Sequence, residues 1–151
     1  MPQVVLVHPE IPPNTGNIAR TCAATRTALH LVEPLGFELS DRYLKRAGLD
    51  YWPYVDLHVH ASWSGFLATA REQSGRLIGF SKAGAECYTD IAYAPEDWLL
   101  FGKETAGLSS DMLAACETTA RIPMAEPGVR SLNLSASAAI GLFEALRQIQ
   151  A

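Results

Sequence analysis

Short apolar runs, rich in β-branched residues, alternate along the chain with segments of helical period, and this alternation limits the fold class. Six runs have the length and composition of strands, at residues 4–8, 29–33, 54–60, 76–80, 97–102 and 119–124. Helices are predicted to begin near residues 15, 41, 62, 110 and 132. Strands that alternate with helices predict an α/β fold with a mostly parallel sheet and helices on both faces. We expect residues 1–151 to form a single domain, since 151 residues is an ordinary domain size.

Three of the predicted helices have a polar residue at their start. Such a side chain can accept a hydrogen bond from the first N–H groups of the helix. The expected caps are Asn14 or Thr15, Ser62, and Ser109 or Ser110. In the last helix, from about residue 132 to residue 150, apolar residues recur with the helical period. Its apolar face predicts contact either with the core or with a second subunit.

The composition is that of a globular protein. Hydrophobic residues make up 48% and charged residues 19% of the chain, which excludes a disordered chain. No apolar run approaches the length of about 18 residues that a membrane helix needs, and the stretch MPQVVLVHPE has no basic segment that would make it a secretory signal. The three cysteines lack a CxxC spacing, which predicts reduced thiols and a cytoplasmic protein.

The net charge of −4 argues against indiscriminate binding to nucleic acid, but it leaves room for a local basic face. Arg42, Lys45 and Arg46 would share one side of a helix at residues 41–48. These side chains would either contact RNA or form an ordinary solvated helix face, and the spacing fits both interpretations.

Three loops that follow predicted strands combine glycine with polar residues: PPNTGN, GKETAGLSS and MAEPGVRSLNLS. In an open α/β sheet, ligands bind at the carboxyl ends of the strands, where such loops offer free backbone N–H groups. The loops therefore predict a nucleotide-like ligand. The patterns GxGxxG and GxxxxGK[ST] are absent, which argues against ordinary dinucleotide and P-loop sites. His58 and His60 lie on one strand face without a further HxH pair, so we expect no metal site.

Three stretches carry a resemblance to a known family. IPPNTGNIAR, LLFGKETAGL and IPMAEPGVRSLNLS resemble, in order, the three motifs of the SpoU branch of the SPOUT RNA methyltransferases. HLVEPLGF and LKRAGLDYW narrow the resemblance to the small tRNA wobble-nucleotide 2′-O-methyltransferases, the TrmL or YibK type. The resemblance covers nearly the whole chain. It implies a C-terminal trefoil knot in the α/β domain, a homodimer, and S-adenosylmethionine as the cofactor.

The resemblance also implies a reaction and a site. The reaction is methyl transfer to the ribose 2′-hydroxyl of the wobble nucleotide, cytidine or uridine 34, of tRNA, with leucine tRNAs as expected substrates. Residues expected beside that ribose are Asn14, Arg20, Glu104 and Asn133, and residues expected around the cofactor are Phe80, Gly102, Ile122, Met124, Ser131 and Leu132. Asn17 and Arg130 join Arg42, Lys45 and Arg46 as expected RNA contacts.

The role of Arg20 follows from its chemistry. A guanidinium keeps its proton at any ordinary pH, so we expect it to hold a phosphate and stabilise the developing alkoxide rather than act as the base. Glu104 would orient Arg20 or the RNA, or simply form a salt bridge.

The chain departs from the usual family pattern at Ala106, where an arginine is common, at Ala136 and at Arg26. Arg26 or Lys103 would supply the charge that the missing arginine removes. Two alternatives stay open at this point. One is a SPOUT methyltransferase of another tRNA site or of ribosomal RNA, and the other is a non-catalytic RNA- or nucleotide-binding module.

Overall fold

The computed structural model describes residues 1–40, 42, 44 and 50–150, and within these residues seven strands form one sheet. In chain order the strands are β1 (Gln3–Val7), β2 (Leu29–Val32), β3 (Leu57–His60), β4 (Leu77–Phe80), β5 (Glu86–Cys87), β6 (Trp98–Phe101) and β7 (Thr118–Arg121). Their order across the sheet is β3-β2-β1-β6-β4-β7-β5, and every neighbouring pair is parallel. The predicted parallel α/β fold is confirmed.

Helices cover both faces of this sheet. Their bounds are α1 (Pro12–Thr25), α2 (Trp63–Glu72), α3 (Ser110–Ala114) and α4 (Leu134–Ile149), with a 3₁₀ turn at Trp52–Tyr54. One core cluster joins α1 and α4 to the face that carries Val4 and Leu6. The other joins α2 and α3 to the face that carries Val5 and Val7. Apolar side chains on both faces explain why the central strands read as continuous hydrophobic runs.

The edge strands differ most from the prediction. The strand expected at residues 54–60 begins only at Leu57, because residues 52–54 form the 3₁₀ turn in which Val55 N–H donates to the Trp52 carbonyl. Pro53 suits the first turn of such a helix, where its missing N–H costs nothing. Strand β5 was not predicted, since its two residues show no apolar pattern.

Two predicted caps are confirmed. Ser62 Oγ accepts from Gly65 N–H at the start of α2, and Ser109 Oγ accepts from Met112 N–H at the start of α3. Each serine satisfies an N–H group that has no partner within its own helix.

The predicted cap of α1 is wrong. The helix begins at Pro12, with Ile11 at the cap position and no side-chain cap, and Asn14 lies inside its first turn. Prolines at the first two helical positions have no N–H to satisfy, so a capping side chain has less to do there. Asn14 is thereby left to bond elsewhere.

The helix predicted at residues 41–48 lies mostly outside the described residues, and so do Lys45 and Arg46. Residues 42 and 44 are helical; Arg42 is exposed and Leu44 is buried. Among the described residues, no helix has the length and apolar character required to cross a membrane.

Candidate functional site

A cavity of about 570 Å³ opens at the carboxyl edge of the sheet, where β1, β6, β4 and β7 end side by side. It is lined from the loops that follow these strands, including residues 81–82, 102–108 and 130–134. Its volume lies within the range of pockets that enclose cofactor-sized ligands, about 300–1,000 Å³. The three polar loops singled out in the sequence therefore meet around one cavity.

All the residues expected around a cofactor line this cavity: Phe80, Gly102, Ile122, Met124, Ser131 and Leu132. Ile122 and Met124 are half-buried, and Leu132 is 37% exposed, so apolar surface faces the cavity beside backbone and hydroxyl groups. Such a mixed lining fits S-adenosylmethionine, which combines a flat adenine with polar ribose and amino-acid groups.

Gly102 is required by the packing of the loop that follows β6. An added Cβ would lie 2.1 Å from the Gly107 carbonyl carbon and 2.2 Å from Leu108 N, so the missing side chain makes room for the returning loop. Gly107 has φ +68°, a conformation that favours glycine. Gly102 therefore allows the backbone to approach Gly107 and Leu108 closely, and this contact shapes the wall of the cavity.

Glu104 joins this loop to the start of α1. Its carboxylate accepts from Glu10 N–H (2.8 Å), Ile11 N–H (2.7 Å) and the Asn14 side-chain amide (3.2 Å). Among the described residues it forms no salt bridge, and it does not contact Arg20. The helix dipole favours a carboxylate at the N-terminus of a helix, and Glu104 also holds the two residues that precede α1.

Asn133 brings the third loop into the same arrangement. Its Nδ2 donates to Asn14 Oδ1 over 3.0 Å, while its Oδ1 accepts from Ser135 N–H (2.8 Å) and caps α4. We call the chain of contacts from Glu104 through Asn14 to Asn133 the Glu104–Asn14–Asn133 link. It connects the loops after β1, β6 and β7, and each of its members lines the cavity.

Two further hydrogen bonds join the loops after β1 and β6, and in these the loop after β6 donates and the loop after β1 accepts. Glu10 Oε1 accepts from the Thr105 hydroxyl (2.7 Å) and the Thr105 N–H (3.1 Å). These bonds, the hydroxyl bond foremost, lower the pKa of Glu10. Glu10 adjoins the first motif and Thr105 lies within the second, but nothing local in the sequence signals that they meet.

Arg20 is placed away from the cavity wall. Its guanidinium carbon lies 4.4 Å from the centre of the Tyr51 ring, a cation–π contact, and both residues have exposed surface. Tyr51 was not among the predicted site residues. Tyr51 belongs to the LKRAGLDYW stretch, which carries part of the family resemblance. The residue pattern of that stretch gives no sign that it contacts α1.

The expected RNA contacts are distributed unevenly. Arg130 lines the cavity, and the exposed Asn17 lies on α1 between Asn14 and Arg20. Of the two substitutes for the missing arginine, Lys103 lines the cavity, whereas Arg26 lies at the C-terminal end of α1 beside a different groove. Lys82, which the sequence reasoning missed, also lines the cavity.

Three of the four histidines form a separate cluster on β2 and β3. His30 is buried, stacks on His58 at 4.6 Å between ring centres, and lies 2.9 Å from His60 Nε2. Among the described residues, no group of His, Cys, Asp and Glu side chains is arranged to hold a metal ion. The contacts of His30 are instead those of a packed, hydrogen-bonded core histidine.

Comparison with known proteins agrees with this geometry. A protein from Burkholderia ambifaria named tRNA (cytidine(34)-2′-O)-methyltransferase is 49% identical over 147 residues, which are 96% of this chain and 94% of that protein. A Synechocystis protein to which the same activity is provisionally assigned is 60% identical over 150 residues, covering 99% of this chain and 98% of that one.

Solved structures give the same result. A chain from a structural study of the 2-OH methylation of C/U34 on tRNA is 47% identical, with a TM-score of 0.93 over 98% of this chain and 95% of that one. The SpoU methyltransferase AviRb from Streptomyces viridochromogenes, in complex with the cofactor AdoMet, is 27% identical, with a TM-score of 0.88 over 98% of this chain and 60% of that one. The model of the SpoU rRNA Methylase family matches residues 1–143. With the cavity, the three loops and these likenesses in agreement, the chain belongs to the SpoU rRNA Methylase family.

Proposed function

We propose that this chain transfers a methyl group from S-adenosylmethionine to the ribose 2′-hydroxyl of the wobble nucleotide, cytidine or uridine 34, of tRNA, with leucine tRNAs as substrates. The observation that carries the proposal is the Glu104–Asn14–Asn133 link, which ties three separate loops together beside one cofactor-sized cavity. The named activity of relatives 48–49% identical supports the substrate, and the AdoMet complex of a structural neighbour supports the cofactor.

The cavity residues would hold the cofactor. Ile122, Met124 and Leu132 offer apolar surface to its adenine, while the Ser131 hydroxyl and the backbone near Gly102 offer polar contacts. When bound, S-adenosylmethionine supplies a methyl group on a positively charged sulfonium. The task of the protein is then to place the ribose hydroxyl in line and to stabilise the charge that develops on its oxygen.

Arg20 is the residue proposed for that second task. Its guanidinium remains protonated and can form two parallel hydrogen bonds with a phosphate, so it would hold the RNA backbone beside the target ribose. Glu104 fixes the start of α1 through two backbone N–H groups, and Tyr51 contacts the guanidinium further along the same helix. Asn14 and Asn133 would contact the ribose or hold the loops around it.

A homodimer is proposed as the working form. Phe143 on α4 is 54% exposed and borders a groove with Ala24 and Thr25 of α1 and Leu146 of α4. A large apolar side chain exposed between two helices is what a self-complementary interface would cover. A second subunit would also enlarge the surface available to a folded tRNA. The tRNA substrate implies a cytoplasmic enzyme, and the sulfonium of the cofactor is electrophilic enough to give up its methyl group without a metal.

The C-terminal trefoil knot is likewise a proposal. Strand β6 lies between β1 and β4 although β4 precedes it in the chain, and the segment after β7 returns along the cavity to α4, which packs on α1. This path supports threading of the C-terminal segment through an earlier loop. Stretching the unfolded chain from its two ends tests the proposal, because a knotted chain stops short of its full contour length.

The function itself is tested with purified protein, labelled S-adenosylmethionine and bulk tRNA from a strain that lacks its wobble methylase. Label on the 2′-oxygen of nucleotide 34 in leucine tRNAs is the expected result. Label at another tRNA position, or in ribosomal RNA supplied in a parallel reaction, would contradict the substrate. Cofactor binding without transfer to either RNA would contradict the enzymatic activity.

A further inference from the structure

The cavity lining is more positive than the molecule as a whole. Its charged residues are Lys82, Lys103, Arg130 and Glu104, so three positive charges less one negative charge give +2, whereas the whole chain carries −4. The single carboxylate is already bonded to the N–H groups of Glu10 and Ile11. The three cations therefore dominate the charge that a ligand meets at this edge of the sheet.

Lys82 stands on a turn that the structure holds firmly. The turn closes through a 3.0 Å bond from Gly84 N–H to the Ser81 carbonyl, and Arg121 Nη1 donates to the Gly84 carbonyl over 3.2 Å. Gly84 is pressed against β7, since an added Cβ would lie 2.3 Å from the Ala120 carbonyl carbon. A turn fixed from both sides gives Lys82 a defined backbone position, although its own side chain is exposed.

The other two cations also follow closed turns. Gly107 N–H donates to the Lys103 carbonyl over 2.8 Å, which closes the loop after β6. Arg130 comes directly after a turn in which Val129 N–H donates to the Glu126 carbonyl over 3.2 Å. Fixed backbones on all three loops reduce the entropy that would be lost when a ligand is held.

The three cations are available for an external anion. Lys82 and Arg130 are exposed and Lys103 is half-buried, and across residues 1–40, 42, 44 and 50–150 none of them forms a salt bridge. They belong to loops that follow β4, β6 and β7, which are adjacent in the sheet. All three cations line the cavity that opens where these strands end.

We propose that Lys82, together with Lys103 and Arg130, forms a phosphate-binding rim that holds the RNA backbone across the mouth of the cavity. The inference rests on the proposed function and adds to it a specific contact surface, with Lys82 as its new member. A polyanion suits these three cations best, since they lie on neighbouring loops and none forms a salt bridge within the described part of the chain. Each phosphate that they neutralise releases condensed counterions. The rim would supply affinity and orientation without reading the base sequence.

The test compares Lys82→Ala with wild type in tRNA binding over a salt series, with unfractionated tRNA as the probe. The slope of log K against log salt should become shallower by about one, so that Lys82→Ala loses roughly fourfold less affinity than wild type between about 50 and 200 mM salt. Lys82→Arg, which keeps the charge, should restore the wild-type slope. Arg71→Ala, which removes an exposed cation on α2 outside the cavity, should bind tRNA as wild type does.

Cofactor binding, measured by calorimetry on the same variants, shows whether Lys82 binds an RNA phosphate or the cofactor. Unchanged affinity for S-adenosylmethionine with a shallower salt slope supports the rim. Weaker cofactor binding with an unchanged salt slope would assign Lys82 to the cofactor and overturn the rim. An unchanged slope in Lys82→Ala alongside normal methyl transfer by wild type would overturn the rim alone, whereas wild-type protein that binds no tRNA would overturn the proposed function as well.

Discussion

The side chain of Asn133 makes two contacts that have different roles. Its side-chain oxygen Oδ1 caps α4 by accepting from Ser135 N–H, and its side-chain Nδ2 donates to Asn14 Oδ1 in the cavity lining. The first contact contributes to stability, and the second holds two loops of the site together. Because the two contacts use different atoms of one amide, substitution can separate them.

We expect Asn133→Asp to keep the cap and lose the link. A carboxylate still accepts from Ser135 N–H, but it cannot donate to Asn14 Oδ1. Thermal stability should stay near that of wild type, while methyl transfer should fall by roughly tenfold to a hundredfold, since small misplacements in a site are costly. Asn133→Ala should in addition lose about 1 kcal/mol of stability with the cap. Equal activity of Asn133→Asp and wild type would show that the link does not support catalysis.

Arg20→Ala should slow methyl transfer strongly without weakening the binding of the cofactor. Removal of one group that stabilises a developing oxyanion typically lowers the rate by about a hundredfold to a thousandfold. Affinity for S-adenosylmethionine should be unchanged, because Arg20 does not line the cavity. Single-turnover transfer to tRNA and calorimetric titration of the cofactor measure the two quantities, with Arg71→Ala as the control. An active Arg20→Ala enzyme would contradict the role given to this residue.

At the scale of elements, β2 and β3 meet through a cluster of histidines. His30 Nε2 lies 2.7 Å from Gln3 Oε1, and His30 also contacts His60 and the ring of Trp98. Burial, and then the neighbouring His58 and His60, lower the pKa of His30 to about 3. The ring therefore stays neutral in the folded protein under ordinary conditions.

This burial predicts a pH dependence of stability. The unfolded chain binds a proton on His30 near pH 6.5, whereas the folded chain does not until about pH 3, so stability is full above 6.5 and declines as the pH falls. The group should contribute a loss of about 1.4 kcal/mol per pH unit within that window. His30→Gln should flatten the decline between pH 6.5 and 4 in urea unfolding. The titratable groups around His30 are His60, whose pKa burial also lowers, and His58, whose Nε2 lies 2.9 Å from Asp56 Oδ1.

Local signals made much of the fold predictable, and distant contacts account for what was missed. The caps Ser62 and Ser109 act within one helical turn, so a short stretch of sequence contains the whole cause. The start of α1 is bonded instead by Glu104, more than ninety positions away, and no local pattern contains that contact. Tyr51 beneath Arg20 is missed for the same reason.

The site was predicted from a family resemblance rather than from local physics. Composition and strand pattern placed polar loops at the carboxyl edge of the sheet, but they could not say which side chains would contact one another. The structure groups Asn14, Glu104 and Asn133 by hydrogen bonds and leaves Arg20 outside the cavity lining. The roles of these residues stay predictions.

At the scale of the whole molecule, the exposed apolar surface bears on assembly. Phe143 is 54% exposed on α4, a helix whose other side packs into the core. Leaving so large an apolar group in water is unfavourable by about 25 cal/mol per Å² of its exposed surface, which a second subunit would recover.

Phe143→Glu should therefore turn the proposed dimer into a monomer without unfolding it, because the side chain is largely outside the core. Sedimentation velocity measures the mass, and circular dichroism confirms the fold. Gln73→Glu, which adds the same charge at the end of α2, should leave the dimer intact. A dimer that survives Phe143→Glu would place the interface elsewhere, and a monomeric, fully active wild type would contradict the dimer itself.

The Glu104–Asn14–Asn133 link also has a consequence for how such proteins diverge. Each of its three loops contributes only one member of a shared set of hydrogen bonds, and the loops come from widely separated parts of the gene. A loop brought in by recombination keeps the link only if it carries the same residue type at its link position. Chimeras with a relative's loop should therefore function where that residue is retained, and should lose activity where it differs until the partner loops are exchanged as well.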